Sequence, residues 1–309
     1  MNIVLNLNKD YNLTSHDAVT LVKKLFKVRK AGHAGTLDLI ATGVLVVCLN
    51  EATKVASFIS DLDKEYIMTA KLGESTDTYD AEGKVIKKFQ ISNFKFQIEE
   101  IKEITRRFTG EIEQIPPMYS AIKVSGKPLY KLARKGIEIE RKPRKVKIYS
   151  IEILKAQSPF LTIKVSCSKG TYIRSLCNDI GEALGVGAHI TELMRTKIGQ
   201  FSIENSAKIS ELPYKTSSLY SIDAALNHLP EIILDGDNLR KAKNGNPIKT
   251  VTSNELIVTS KEKENSTNSL LVARCSLLPY IRLKSPEGRL FGIGKIFNNS
   301  IKIQRLLNL

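Results

Sequence analysis

The sequence predicts a large α/β unit followed by a small all-β unit. Segments with helical apolar spacing interleave with alternating, strand-like segments through the first 230 residues. Beyond "HLPEIILDGDN" that pattern loosens into short strand candidates ("SLLVARC", "YIRLK", "RLFGIGKIF", "IKIQRLL") separated by turns, which suggests a barrel-like β domain. A length of 309 residues with 42% hydrophobic content accommodates both, and the boundary is placed at 230/231.

Taken in order, "TSHDAVTLVKKLFKV" opens with Thr14 and Asp17 in capping-box spacing. Ala18, Val22, Leu25 and Phe26 then recur at helical spacing, predicting a helix over 15–28. A glycine-rich loop leads to a strand at 43–49, and "ATKVASFISDLD" continues as a helix. "KEYIMTAKLG" alternates as a strand, with "TDTYDAEGK" as its turn-rich exit. "QIEEIKEITRRF" is a helix over 97–108, and a strongly basic stretch with three tyrosines follows. "PFLTIKVSCSKGTYIRSLCNDIGEALG" reads as strand, turn and a helix ending near Gly185, and "SKEKENSTNS" (260–269) as a surface loop.

The formal charge of +15, from 47 Lys and Arg against 32 Asp and Glu, points to a polyanionic partner, most often nucleic acid. Cys48, Cys167, Cys177 and Cys275 form no CxxC pair and no metal-ligand spacing with histidine, so neither a metal nor a disulfide framework is expected. The N-terminus has no signal-peptide pattern, and the longest apolar run, "VLVVCL", is too short to span a bilayer; a cytoplasmic protein without membrane contact is expected.

The informative stretch is "GHAGTLDLIATGVLVVCL", where Asp38 sits between a glycine loop and an apolar strand. Asp38 either tightens a turn or is a reactive carboxylate presented by a rigid scaffold. Arg174, just past a glycine turn, is either an exposed first-turn arginine or a partner that fixes a carboxylate. Tyr66 is either a cross-strand aromatic or a ring on which a base stacks, and His33 either a loop histidine or a wedge in the space of a displaced base. Spacing alone leaves these pairs open.

In order along the chain, "GHAGTLDLIATGVL", "KEYIMTAKLGESTDTYDAEGKV", "IPPMYSAIKVSGKPLYKLARKGIEIERKPRKVKIY" and "CSKGTYIRSLCNDIGEALGVGAHITELMRTKIGQF" resemble the signature, tyrosine, thumb and arginine motifs of the tRNA pseudouridine synthase B family. "NGNPI" with "GRLFGIGKI" resembles the PUA-type RNA-binding domain attached to it. The resemblance implies a pseudouridine synthase fold with a mixed, largely antiparallel sheet over 1–230, a thumb at 110–148, and a PUA-like domain over 231–309. It implies conversion of uridine to pseudouridine at position 55 in the tRNA T-loop, by a base-flipping monomer needing no cofactor or protein partner. Carried over residue by residue, Asp38 is the catalytic carboxylate, Arg174 its ion-pair partner, and Tyr66 the stacking ring. His33 holds the flipped conformation, Tyr172 and Lys54 match further active-site positions, and Leu193 packs near the uracil.

This sequence departs from the family where Leu39 replaces proline after the aspartate, and where Asp10 and Asn12 replace proline and glycine in "KPxGxTS". Two other readings share the scaffold: a non-catalytic tRNA-binding chaperone, and the guide-RNA-dependent branch of the superfamily. The long thumb segment favours the stand-alone type.

Overall fold

The chain is described by a computed structural model over residues 1–90, 98–120, 122–124, 126–212, 214–249, 279–297 and 300–309. The candidate strand "SLLVARC", the 260–269 loop and Cys275 lie outside the described residues.

In the first part of the chain the strands are β1 (Ile3–Lys9), β2 (Ala31–His33), β3 (Ala41–Leu49), β4 (Lys64–Leu72), β5 (Glu74–Thr76), β6 (Val85–Lys88) and β7 (Gly110–Gln114). The thumb hairpin β8 (Lys123–Val124) and β9 (Lys127–Pro128) follows, then β10 (Arg144–Gln157), β11 (Phe160–Cys167), β12 (Ala188–Ile198), β13 (Phe201–Ser202) and β14 (Leu219–Ser221). Helices are α1 (Ser15–Leu25), α2 (Ala56–Ser60), α3 (Ile98–Arg107), α4 (Leu129–Ala133), α5 (Ile173–Ala183), α6 (Ile222–Ala225) and α7 (Gly236–Lys243).

The main sheet runs β14-β1-β3-β12-β4-β11-β10-β7, with β2 and β13 attached to β3 and β12. Among the described residues its pairings are antiparallel except β3 with β12, so the sheet is mixed and largely antiparallel. The apolar run of β3 follows from its burial on both faces. Leu45, Val47 and Leu49 enter one core with α1, α3 and α5, while Val44, Val46 and Cys48 enter a second core on the other face.

Helix boundaries moved where local chemistry decided them. Thr14 Oγ1 accepts from the Asp17 amide, as the capping box predicts, but α1 ends at Leu25. Leu25 is exposed and Val19 lies in the core instead, because the buried face runs through Ala18, Val19 and Val22 to Phe26. "ATKVASFISDLD" is not one helix: a 3₁₀ turn over Asn50–Val55 precedes the short α2.

The C-terminal sheet has order β15-β17-β18-β19-β16, built from β15 (Glu231–Ile233), β16 (Ile248–Lys249), β17 (Tyr280–Lys284), β18 (Leu290–Phe297) and β19 (Ser300–Leu306). It is not independent of the larger unit. Leu290, Ile293 and Leu307 share the second core with Val4, Ile59, Phe201 and Leu226, and Tyr280 meets Phe58 edge-on at 4.9 Å.

Candidate active site

The site forms where β2, β3, β12 and β4 converge. Arg195 on β12 lies opposite Gly43 on β3 and Tyr66 on β4. A Cβ on Gly43 would stand 2.3 Å from the Arg195 carbonyl oxygen, and Gly43 has φ of +94°, so the closest approach of these strands requires glycine.

Asp38 sits on the 34–40 loop with 39% of its side chain exposed, and Ser15 and the Asn12 turn brace the loop from one side. Ser15 Oγ accepts from the Leu37 amide (2.8 Å) and donates to the Leu37 carbonyl (3.0 Å). The Asn12 amide donates to the Leu39 carbonyl at 3.2 Å, linking two of the sequence's departures directly. Asn12 has φ of +57°, a left-handed conformation that asparagine tolerates better than most residues.

Arg174 lies in the first turn of α5 and is 6% exposed. Its Nε is 2.9 Å from Asp38 Oδ2, and Nη2 donates to Asp38 Oδ1 at 3.2 Å, a two-point pairing of guanidinium and carboxylate. Further donations to the Thr78 carbonyl (3.0 Å) and the Tyr119 carbonyl (2.7 Å) hold the arginine between the turn after β5 and the root of the thumb.

Sequence reasoning passed over Asp80. It is buried, 3.4 Å from Arg174 Nη1, and accepts from Thr78 Oγ1 and the Glu82 amide (3.1 Å). "TDTYDAEGK" reads as a turn because Asp, Thr and Gly are turn formers. The signal that was available is a second carboxylate next to the tyrosine motif.

Tyr66 is buried with Leu37, Ile40 and Leu193. Burial pushes its phenol pKa up, and the nearby Arg195 charge works against that rise. Leu193 lies opposite Met68 on β4 and Ala41 on β3, two residues from Arg195 on the same strand. His33 pairs with Val47, and its Nδ1 is buried without a hydrogen-bond partner. Burial lowers its pKa, with Arg195 and His16 adding to the effect, so its imidazole favours the neutral form.

Tyr172 is the residue before α5. Its amide donates to Gln114 Oε1 (3.0 Å) and its carbonyl accepts from Gln114 Nε2 (3.3 Å), tying the helix start to β7. Burial raises its phenol pKa, and Arg144, Arg174 and Asp38 are among the charges it feels. Lys9, fully buried at the end of β1, has its pKa lowered to about 8 by burial, with Asp38 and Asp10 pulling the other way. Its ammonium caps the 10–13 turn through the Leu13 carbonyl at 2.6 Å.

Lys54 does not join this cluster. The 3₁₀ turn after β3 aims its ammonium at Glu51 (2.8 Å) and at the Leu306 carbonyl (3.0 Å) of β19. Lys54 therefore belongs to the seam with the C-terminal sheet, where Glu51 also accepts from the Asn308 amide at 2.8 Å.

The thumb leaves the sheet edge between β7 and β10, whose Gln114 and Arg144 are opposite one another. Among the described residues, no group of three or more His, Cys, Asp or Glu is arranged to hold a metal, and no helix is long and apolar enough to cross a membrane.

The TruB family pseudouridylate synthase (N terminal domain) model matches residues 23–173, and the tRNA pseudouridylate synthase B C-terminal domain model matches residues 174–237. A tRNA pseudouridine synthase B of Clostridium tetani is 51% identical over 81% of this chain and 86% of the relative. One from Clostridium acetobutylicum is 41% identical over 99% of this chain and 100% of the relative. Among solved structures, a Cbf5-Nop10-Gar1 complex aligns with TM-score 0.71 at 26% identity, over 98% of this chain and 84% of that one. With its motifs, its sheet and these relatives in agreement, the chain belongs to the TruB family of pseudouridylate synthases.

Proposed function

We propose that this protein isomerises uridine to pseudouridine at position 55 in the T-loop of tRNA, acting as a stand-alone cytoplasmic enzyme on a base flipped from the loop stack. The observation that carries the reading is Asp38: a part-exposed carboxylate gripped at two points by a buried arginine, on a loop whose Leu37 and Ile40 share a core with Tyr66 and Leu193. Relatives named tRNA pseudouridine synthase B, at 38–51% identity over most of the chain, support the tRNA substrate.

The reaction breaks the N1–C1′ bond, turns the base and joins C5 to C1′; the C5 proton leaves and N1 gains one. One positioned carboxylate serves each route open to it: addition to the sugar, addition to the base, or removal of the C2′ proton. Arg174 fixes the Asp38 carboxylate in place. Tyr66 and Leu193 supply the apolar contacts that a base loses on leaving its stack, a cost of a few kcal/mol. His33, neutral at the loop edge, fills the space that the base vacates. Tyr172 closes the wall beside Arg174.

Charge draws the RNA in. The thumb carries Lys131, Arg134, Lys135, Arg141, Lys142, Arg144, Lys145 and Lys147, and the C-terminal unit adds Arg240, Lys241 and Lys243. These supply phosphate attraction, so affinity falls with salt. The 231–309 unit serves as a PUA-like RNA-binding surface.

The test is the Asp38→Asn variant beside the wild type on unmodified tRNA without any guide RNA. Pseudouridine at position 55 from the wild type, with tRNA still bound but unconverted by the variant, is the expected result. A wild type that binds but never converts would leave the chaperone reading standing; conversion only with added guide RNA would favour the guide-dependent one.

A further inference from the structure

Arg195 is 1% exposed and heads the largest fully buried side chains among the described residues. Its Nε donates to the Val44 carbonyl at 2.8 Å, Nη2 to the Gly35 carbonyl at 3.1 Å, and Nη1 to the Thr36 carbonyl at 3.4 Å. No carboxylate among the described residues pairs with it. A buried guanidinium held by neutral groups, three carbonyls and the Tyr66 hydroxyl, is costly, and an apolar side chain of similar volume would fill the same space more cheaply.

Its position gives that cost a purpose. The carbonyls it grips belong to Gly35 and Thr36, three and two residues ahead of Asp38. Across the strands its backbone faces Gly43 on one side and Tyr66 on the other, and Leu193 shares its strand two residues away. Four elements of the site, the loop, β3, β12 and β4, therefore meet at one side chain. Arg174 holds the Asp38 carboxylate itself; Arg195 holds the backbone that carries it.

We propose that Arg195 is a positioning residue for pseudouridine formation: it clamps the Asp38 loop to the strand facing Tyr66 and keeps an unneutralised positive charge behind that loop. The proposal rests on the functional reading above.

The test compares Arg195→Lys and Arg195→Gln with the wild type in single-turnover conversion of tRNA, alongside tRNA affinity and thermal midpoint. Lysine keeps the charge but cannot reproduce a planar fork reaching three carbonyls. Its rate is expected to fall about tenfold to a hundredfold, as for a misplaced reactive group, with tRNA affinity within about threefold. Glutamine also removes the charge. His33 feels Arg195 and His16, so in the glutamine variant its NMR titration is expected to move to higher pH, while in the lysine variant it stays near the wild-type curve.

Wild-type turnover in Arg195→Lys overturns the proposal, as does a rate loss matched by lost folded protein or lost tRNA affinity, or an unmoved His33 titration in Arg195→Gln. Should neither Arg195 variant fold, Gly35→Ala strains the clamp from the loop side. Gly35 has φ of +114°, and a Cβ there would stand 3.6 Å from Arg195 Nη1. The same loss of rate without loss of binding is expected, and wild-type turnover in this variant overturns the clamp. The His33 titration reads the charge without turnover, so failure of the functional reading, in which the wild type forms no pseudouridine, is told apart from failure of the clamp.

Discussion

Among the described residues, two buried arginines each hold two carboxylates, and only Arg174 belongs to the candidate site. Arg282, at the seam with the C-terminal sheet, is 2.6 Å from Asp223 and 2.9 Å from Glu231. Lys284 closes the square at 2.8 Å from each acid. Two cations meet two carboxylates there, and each acid is bound on both sides. Arg174 instead bridges Asp38 and Asp80, with backbone carbonyls taking its remaining donors. Of its two carboxylates Asp38 faces outward, with 39% of its side chain exposed, and Asp80 is buried. A square of ions fastens two units together; a single arginine between two carboxylates orients the exposed one.

The comparison breaks most visibly if one carboxylate at a time is removed. Asp38→Asn is expected to cut pseudouridine formation more than about a thousandfold with little change in thermal midpoint, since the side chain is part exposed and its role is chemical. Asp223→Asn is expected to do the reverse. It lowers stability by about 1–3 kcal/mol, because Arg282 and Lys284 lose a shared partner at a partly buried site, and leaves the single-turnover rate of the remaining folded protein unchanged. Denaturant unfolding with turnover assays reads both, and matching phenotypes would erase the distinction.

Arg174→Lys asks whether the cleft needs geometry or only charge. A point ammonium does not reproduce the two-point grip on Asp38, so turnover is expected to fall by about two orders of magnitude while tRNA affinity holds. Wild-type turnover in this variant would reduce the pair to simple charge neutralisation.

The seam has its own acid limit. Burial, with Arg282 adding to it, lowers the pKa of His228 to about 4 from an ordinary 6.5. The unfolded chain therefore takes up a proton below pH 6.5 that the folded chain refuses until near pH 4, so this stability is present above pH 6.5 and lost as pH falls. The loss is about 1–2 kcal/mol between pH 7.5 and 5. His228→Gln, which does not titrate, is expected to flatten that part of the curve, as thermal midpoints at both pH values would show.

The smallest expected effect concerns Leu39. Its side chain is half-buried, its carbonyl accepts from Asn12, and no group among the described residues accepts from its amide. Proline there keeps the carbonyl and removes an unused donor. Leu39→Pro is expected to stabilise by about 0.4–1 kcal/mol through the unfolded chain, with turnover equal or slightly higher. A lower thermal midpoint with slower turnover would mean that this loop has taken a shape of its own.

Much of the site was legible because it is written in short motifs. The glycine loop and Asp38 precede an unbroken apolar strand, and Arg174 follows a glycine turn; local spacing is enough to place both at element ends. Lys54 enters the site only through the resemblance; the 3₁₀ turn after β3 aims it at Glu51 and β19, a direction that local spacing does not encode. Asp80 was hidden inside turn chemistry. Arg195 was readable in principle: Leu193 and Arg195, two apart on a strand, share a face, so a charge there is buried wherever the leucine is.

By itself the sequence determined where most of the helices and strands lie and where the glycines let the chain bend, and it singled out Asp38 and Arg174 as candidates. These follow from short-range spacing and from residue types with few local alternatives. Tertiary structure alone decided which further charges meet: that Asp80 joins Asp38 on Arg174, that Arg195 reaches the Gly35 and Thr36 carbonyls with no carboxylate partner among the described residues, and that the C-terminal sheet shares a core with the larger unit. The physical reason is sequence separation. Asp38 and Arg174 are 136 residues apart, and only the register of β12 between β3 and β4 brings the two ends of that span to one place.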